Sequence, residues 1–212
     1  MTTKDQHPEP NIVSEPSFDY RLEYTYSDYL KFEFEEMVEL IRGKIFKMSP
    51  APGTTHQRIS MKLCLKLGHY FENKKCELFA APTDVVLPIH NVTKKKSTTV
   101  VQPDIFVICD PSKVEEKCVY GVPDLVIEIL SRHTRKKDIQ LKHEVYQESG
   151  VREYWIVFPK DEIIDIFVLE DCKFVLKSRH AGNEVFTSHI FPDLEVDTSD
   201  IFPTIIDKEN DY

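Results

Sequence analysis

A chain of 212 residues with 41% hydrophobic content can close one sizeable core and is short enough to be one domain. Its net charge of −9 and pI of about 5.4 argue against tight, non-specific, charge-driven binding of nucleic acid, although acids that hold a metal also count against net charge. No apolar stretch reaches the roughly 18 residues of a membrane span, and Met1–Asn11 lacks the apolar centre of a signal peptide, so a soluble, cytoplasmic protein is expected.

Residues 1–20 are polar, with three prolines and no period, and read as a mobile tail ahead of a domain at 21–212. Thr25 with Asp28 resembles a capping box that opens a short helix, with Tyr29 and Leu30 as its apolar contacts. The stretch MVELIRGKIFKMSP alternates about Arg42-Gly43, which predicts a β-hairpin with Glu39 on its first strand. Pro50–Gly53 is a loop. His56–Phe71 reads as an amphipathic helix, with Ile59, Leu63, Leu67, Tyr70 and Phe71 on its apolar side and Lys62 and Lys66 among its polar positions. His56 and Gln57 at its start suit capping or packing. Short strands follow near Glu77–Ala80 and Asp84–Ile89. Asn91–Thr99 is a loop whose Lys94, Lys95 and Lys96 are either solvated or a phosphate contact.

Gln102–Cys109 is the next strand. A turn-rich linker leads to Pro123–Ser131, PDLVIEILS, an apolar run with two carboxylates set into it. Side chains alternate along a strand, so Leu125, Ile127 and Ile129 read as core, while Asp124, Val126, Glu128 and Leu130 share the other face. Thr134–Ser149 is a helix closed by Gly150. Leu141 and Val145 mark its buried stripe, and Asp138, Lys142 and Tyr146 stand on the face beside it. Glu153–Phe158 is a buried strand containing Trp155, Ile163–Leu169 and Lys173–Lys177 follow as strands, and the end of the chain has no regular pattern. The five cysteines form no CxxC pair; Cys109 and Cys172 read as core thiols, so a reducing compartment is expected rather than a disulfide or zinc framework. No repeat, basic face or helix-turn-helix signal stands out.

A carboxylate inside a buried strand is costly unless paired, hydrogen-bonded or bound to a metal. Asp124 and Glu128 lie four residues apart, about 13 Å along a strand, too far to share one ion, so Asp124 reads as structural. Asp104 becomes the natural partner of Glu128 if their strands are neighbours, about 4.8 Å apart. Lys142, on the following helix, can reach such a pair and orient a water or stabilise phosphoryl charge; the alternatives are a buried salt bridge with Glu128 or a helix-surface ion pair with Asp138.

The blocks VELIRGKI with MSP, His56-Gln57, VQPDIFVICD, GVPDLVIEILS, Asp138 with Lys142 and Tyr146, and GVREYWIV occur in that order from Thr25 to Phe158. Together they resemble the Uma-type restriction endonuclease family of the PD-(D/E)XK nuclease superfamily. The resemblance implies an α/β (mixed α+β) fold: a restriction-endonuclease-like core with a mixed central sheet flanked by helices, here with an added N-terminal hairpin and C-terminal strands. It also implies DNA cleavage with Mg2+, for which Mn2+ could substitute, and Asp104 and Glu128 as the metal-binding acids. The superfamily lysine two residues after the glutamate is absent, because Leu130 stands there; Lys142 is the candidate replacement, and Glu39 is a candidate assistant. Arg42 departs from the acidic residue the family often has before Gly43. Cutting two strands suggests a homodimer. The rival expectation is a catalytically degenerate interaction protein on the same fold.

Overall fold

The computed structural model describes residues 22–32, 36–48, 52–131 and 136–202, without the side chains of 136–138. The expected tail at 1–20 and the side chain of Asp138 lie outside that set. Helix α1 (Tyr26–Tyr29) is capped as its sequence predicts, with Asp28 Oδ2 accepting from both the Thr25 backbone N–H and its hydroxyl. Its buried contact is Tyr26 rather than Leu30, which is 61% exposed, because one turn of helix can turn only one side inward. Strands β1 (Val38–Ile41) and β2 (Lys44–Lys47) form the expected hairpin. Arg42 and Gly43 both have positive φ, 49° and 75°, the pairing that suits a two-residue hairpin turn to the twist of its strands.

The apolar side of α2 (Thr54–Phe71) is the one predicted: Ile59, Leu63, Leu67 and Phe71 are buried. Strand β3 (Glu77–Ala80) follows. The next two expected strands are shorter than read. Asp84–Ile89 contracts to β4 (Val85–Val86); β5 (Val100–Val101) lies just ahead of the expected strand Gln102–Cys109 and in a different sheet from it, and that expected strand contracts to β6 (Ile105–Ile108). Pro88 and Pro103 sit at the breaks, and a proline has no N–H to give a ladder. Then come β7 (Val119–Tyr120), β8 (Leu125–Ile129), α3 (Lys136–Ser149) and β9 (Glu153–Phe158). Gly150, at φ 92°, ends α3 as expected. Strands β10 (Ile163–Glu170) and β11 (Lys173–Ala181) form a long hairpin, and β12 (Val185–Thr187), β13 (Glu195–Asp197) and α4 (Thr198–Ile201) complete the described chain.

The central sheet has six strands in the order β11-β10-β9-β8-β6-β3. Only β8 and β9 run parallel in it, and α3 is the crossover that parallel neighbours require. Leu125, Ile127, Ile129 and Trp155 pack with α2 on one face, while Val126, Tyr154 and Ile156 pack with Val145 and Tyr146 of α3 on the other. The alternation read along PDLVIEILS is thus real, but both faces are covered. A second sheet, β2-β1-β5-β4-β7, carries Glu39.

Two expectations about cysteine are corrected. Cys109 is no core thiol: it forms a disulfide with Cys76, at the position across from it where β3 pairs with β6. That partnership depends on strand register, which cysteine spacing does not reveal. Cys172 is exposed, because it sits in the β10–β11 turn, where Asp171 and Cys172 both have positive φ. The lysine loop holds a 3-10 turn at Lys94–Lys96, and Lys94 pairs with Glu115 at 2.5 Å.

Candidate active site

The register of β6 against β8 joins Ile105 to Ile127, so Asp104, one step beyond, stands opposite Glu128. Asp104 Oδ2 accepts from the Ile129 backbone N–H at 2.7 Å and lies 3.2 Å from His56 Nε2. Helix α3 brings Lys142 and Tyr146, one turn apart, over Glu128. Lys142 Nζ is 3.0 Å from Glu128 Oε1 and 3.0 Å from Glu39 Oε1, and the Tyr146 hydroxyl donates to Glu128 Oε1 at 2.7 Å. Glu39 Oε1 also accepts the Gln102 backbone N–H at 2.9 Å. Glu39, His56, Asp104, Glu128, Leu130 and Lys142 all border one cavity of about 200 Å3.

Every residue singled out from the sequence for this chemistry therefore reaches the same cavity. Asp124 does not. It caps the neighbouring strand end, accepting the Cys109 N–H at 2.8 Å and pairing with Arg152 at 3.0 Å. His56 lies buried in the first turn of α2, as the packing expectation has it, and in addition partners Asp104; only the fold could bring α2 to the end of β6. Leu130 borders the cavity with no charge to offer, and the ammonium arrives from α3.

Burial is the main influence on the ionisable groups here. It pushes the Glu128 carboxyl up to about 7, with the Lys142 charge opposing and Asp104 and Glu39 adding to the rise. Burial opposes the charge on Lys142, but the two glutamates beside it outweigh burial and hold the ammonium firmly protonated. His56 loses affinity for its proton through burial and regains more from Asp104, so its value rises.

The donor set suits a hard cation. Mg2+ commonly takes one or two carboxylates and keeps several waters. Among the described residues no hydrogen bond reaches Asp104 Oδ1 or Glu128 Oε2, so each acid keeps one oxygen to offer. Among those residues, too, no cluster of three or more His, Cys, Asp or Glu gathers closely enough to cage an ion. The two uncommitted oxygens would suit a two-acid site completed by water.

Residues 25–199 match the family model Uma2, described as "Putative restriction endonuclease". Among solved structures, the chain is similar to a "putative nuclease belonging to DUF820" from Anabaena variabilis ATCC 29413. The TM-score is 0.67 and the identity 19%, over 84% of this chain and 97% of that one. That likeness shows the fold. Among curated proteins, none matches the sequence. No helix among the described residues is long and apolar enough to cross a membrane. With the family model spanning most of its length, the chain belongs to the Uma2 family.

Proposed function

We propose that this protein is a metal-dependent endonuclease that hydrolyses DNA phosphodiester bonds. The observation that carries the reading is the meeting of Asp104, Glu128, Glu39 and Lys142 at one cavity, from two sheets and a helix. Asp104 and Glu128 would hold Mg2+ through their uncommitted oxygens, with Mn2+ as a substitute. Such an ion supplies Lewis-acid polarisation of the scissile phosphate and a more acidic water. Ile129 N–H and His56 fix one oxygen of Asp104, and the Tyr146 hydroxyl fixes one of Glu128. Lys142 presents a permanent positive charge where a phosphoryl group gains negative charge, in the role of the missing strand lysine. Glu39, 3.0 Å away, also holds that ammonium. Cutting both strands calls for two such sites, which a homodimer would supply.

The test is cleavage of plasmid and single-stranded DNA with Mg2+ or Mn2+, comparing wild type with Glu128→Ala and Lys142→Met. Wild type is expected to cut only with divalent ion. Each variant is expected to lose more than about a hundredfold in rate while keeping its far-ultraviolet circular dichroism. A second reading draws on the ammonium 3.0 Å from both glutamates, which already neutralises part of the acidic cluster: a degenerate nuclease fold retained for interaction. Wild type that cuts nothing, and whose melting temperature ignores both ions, would establish that second reading.

A further inference from the structure

The protein carries a net charge of −9, yet α2 contains no aspartate or glutamate in its 18 residues. Its charged side chains are Arg58, Lys62 and Lys66, each four residues after the last. Arg58 is exposed, and Lys62 and Lys66 are half-buried. Among the described residues no carboxylate lies within ion-pair distance of any of the three. Between them Met61 and Leu65 are 60% and 66% exposed, the largest apolar exposure on this helix. The helix also starts at the cavity: Pro52 and His56 border it, and Arg58 follows within one turn.

We propose that the outward face of α2 is the track on which a nucleic-acid backbone lies as it enters the catalytic cavity, with Arg58 and Lys62 contacting phosphates about two nucleotides apart on one strand. The inference rests on the nuclease reading for what the cavity does, and on charge and continuity for the track itself. Residues four apart on a helix are about 6 Å apart along its axis, so the stripe is about 12 Å long. A DNA strand advances about 3.4 Å per nucleotide, so the stripe spans three or four phosphates. A cavity walled by three carboxylates repels a polyanion. A cationic run at its edge, with no carboxylate in ion-pair distance among the described residues, counters that repulsion and draws the strand in. Met61 and Leu65 offer apolar contact to sugars and bases beside the phosphates. Lys66 is close enough to Asp197 to help hold that carboxyl low, behind the larger effect of the Ser199 hydrogen bonds, so it is the weakest contact of the three.

The test is fluorescence anisotropy with a labelled oligonucleotide, single-stranded and duplex, in EDTA so that no cleavage intervenes. The variant is Arg58→Glu/Lys62→Glu. The control, Lys160→Glu/Lys173→Glu, makes the same charge change at exposed positions in the β9–β10 turn and at the start of β11. The α2 variant is expected to bind at least about tenfold more weakly and to lower the salt dependence of log K by about 2, with the control changing affinity less than about twofold. The milder Arg58→Gln/Lys62→Gln pair is expected to shift binding in the same direction by less. Equal losses in variant and control would overturn the track in favour of a general field effect. So would unaltered binding by the α2 variant, or no binding by wild type. Binding of anionic phospholipid vesicles through the same residues, without oligonucleotide binding, would overturn it in favour of a membrane surface. Cleavage is scored separately. A cutting enzyme indifferent to Arg58 and Lys62 removes the track alone, and α2-dependent binding without any cleavage removes the nuclease alone.

Discussion

Two glutamates are buried on neighbouring strands of the central sheet, Glu128 on β8 and Glu153 on β9, and they face opposite sides of it. Glu153 is wholly buried and bound by neutral donors: the Trp155 indole N–H at 2.6 Å, the Ser188 hydroxyl at 3.1 Å and the Ile190 backbone N–H at 2.8 Å. Both of its oxygens are engaged, and it ties the loop before β13 to the sheet. Glu128 concentrates its bonds on one oxygen, shares a lysine with a second carboxylate, faces a third, and borders a cavity. Burial of an acid is therefore not by itself a sign of chemistry. What separates the two is whether the acid's hydrogen-bonding capacity is closed by the protein or left open toward a space a ligand can enter.

The widest test of this contrast is Glu153→Ala. It leaves three buried donors without an acceptor and is expected to destabilise the fold by about 3 kcal/mol or more in urea denaturation. Cleavage per folded molecule, and the melting shift with Mn2+, should survive. Loss of both in a folded Glu153→Ala protein would erase the distinction between the two acids.

A narrower test uses pH. With its carboxyl raised to about 7 by burial, Glu128 keeps a proton in the folded protein that the unfolded chain releases near pH 4.3. The folded state then binds more protons than the unfolded one between those values, so stability is greatest below the window and falls as pH rises through it. Denaturation in EDTA from pH 5 to 8 should show that fall in wild type and a flatter profile in Glu128→Gln. Identical profiles would mean that Glu128 titrates as an ordinary acid.

The smallest effect is expected from Tyr146→Phe. It removes one hydrogen bond from Glu128 Oε1 while Lys142 stays on the same atom, so a loss of about 1–2 kcal/mol should appear in the same denaturation experiment. A loss matching that of Glu153→Ala would show that Glu128 depends on its phenol as completely as Glu153 depends on its donors.

Much of the local structure could be read directly. The capping box at Thr25, the hairpin about Gly43, the apolar stripe of α2 and the strand Glu153–Phe158 each follow from a few adjacent residues, and each is where it was expected. The basic character of α2 was equally open to view, since its lysines stood among the expected polar positions; the acidic total of the whole chain masked it. The role of Glu153 is hidden from any local pattern. Its donors Ser188 and Ile190 lie 35 and 37 residues away, in a stretch without periodicity.

The short strands β5, β7, β12 and β13 and the helix α4 were not legible in the sequence. By itself it determined the longer helices and strands up to the β10–β11 hairpin, the apolar side of α2, and that Asp104, Glu128 and Lys142 are the acids and amine worth watching. Those properties depend on short-range periodicity and on the cost of burying charge. Only the tertiary structure decided that Glu39 reaches Lys142 from a second sheet, that His56 of α2 meets Asp104, and that Cys76 finds Cys109. Each of these depends on strand register and on the packing of elements far apart in the chain. Both are fixed by the collective burial of apolar surface on the two faces of the sheet, and no local pattern of residues encodes them.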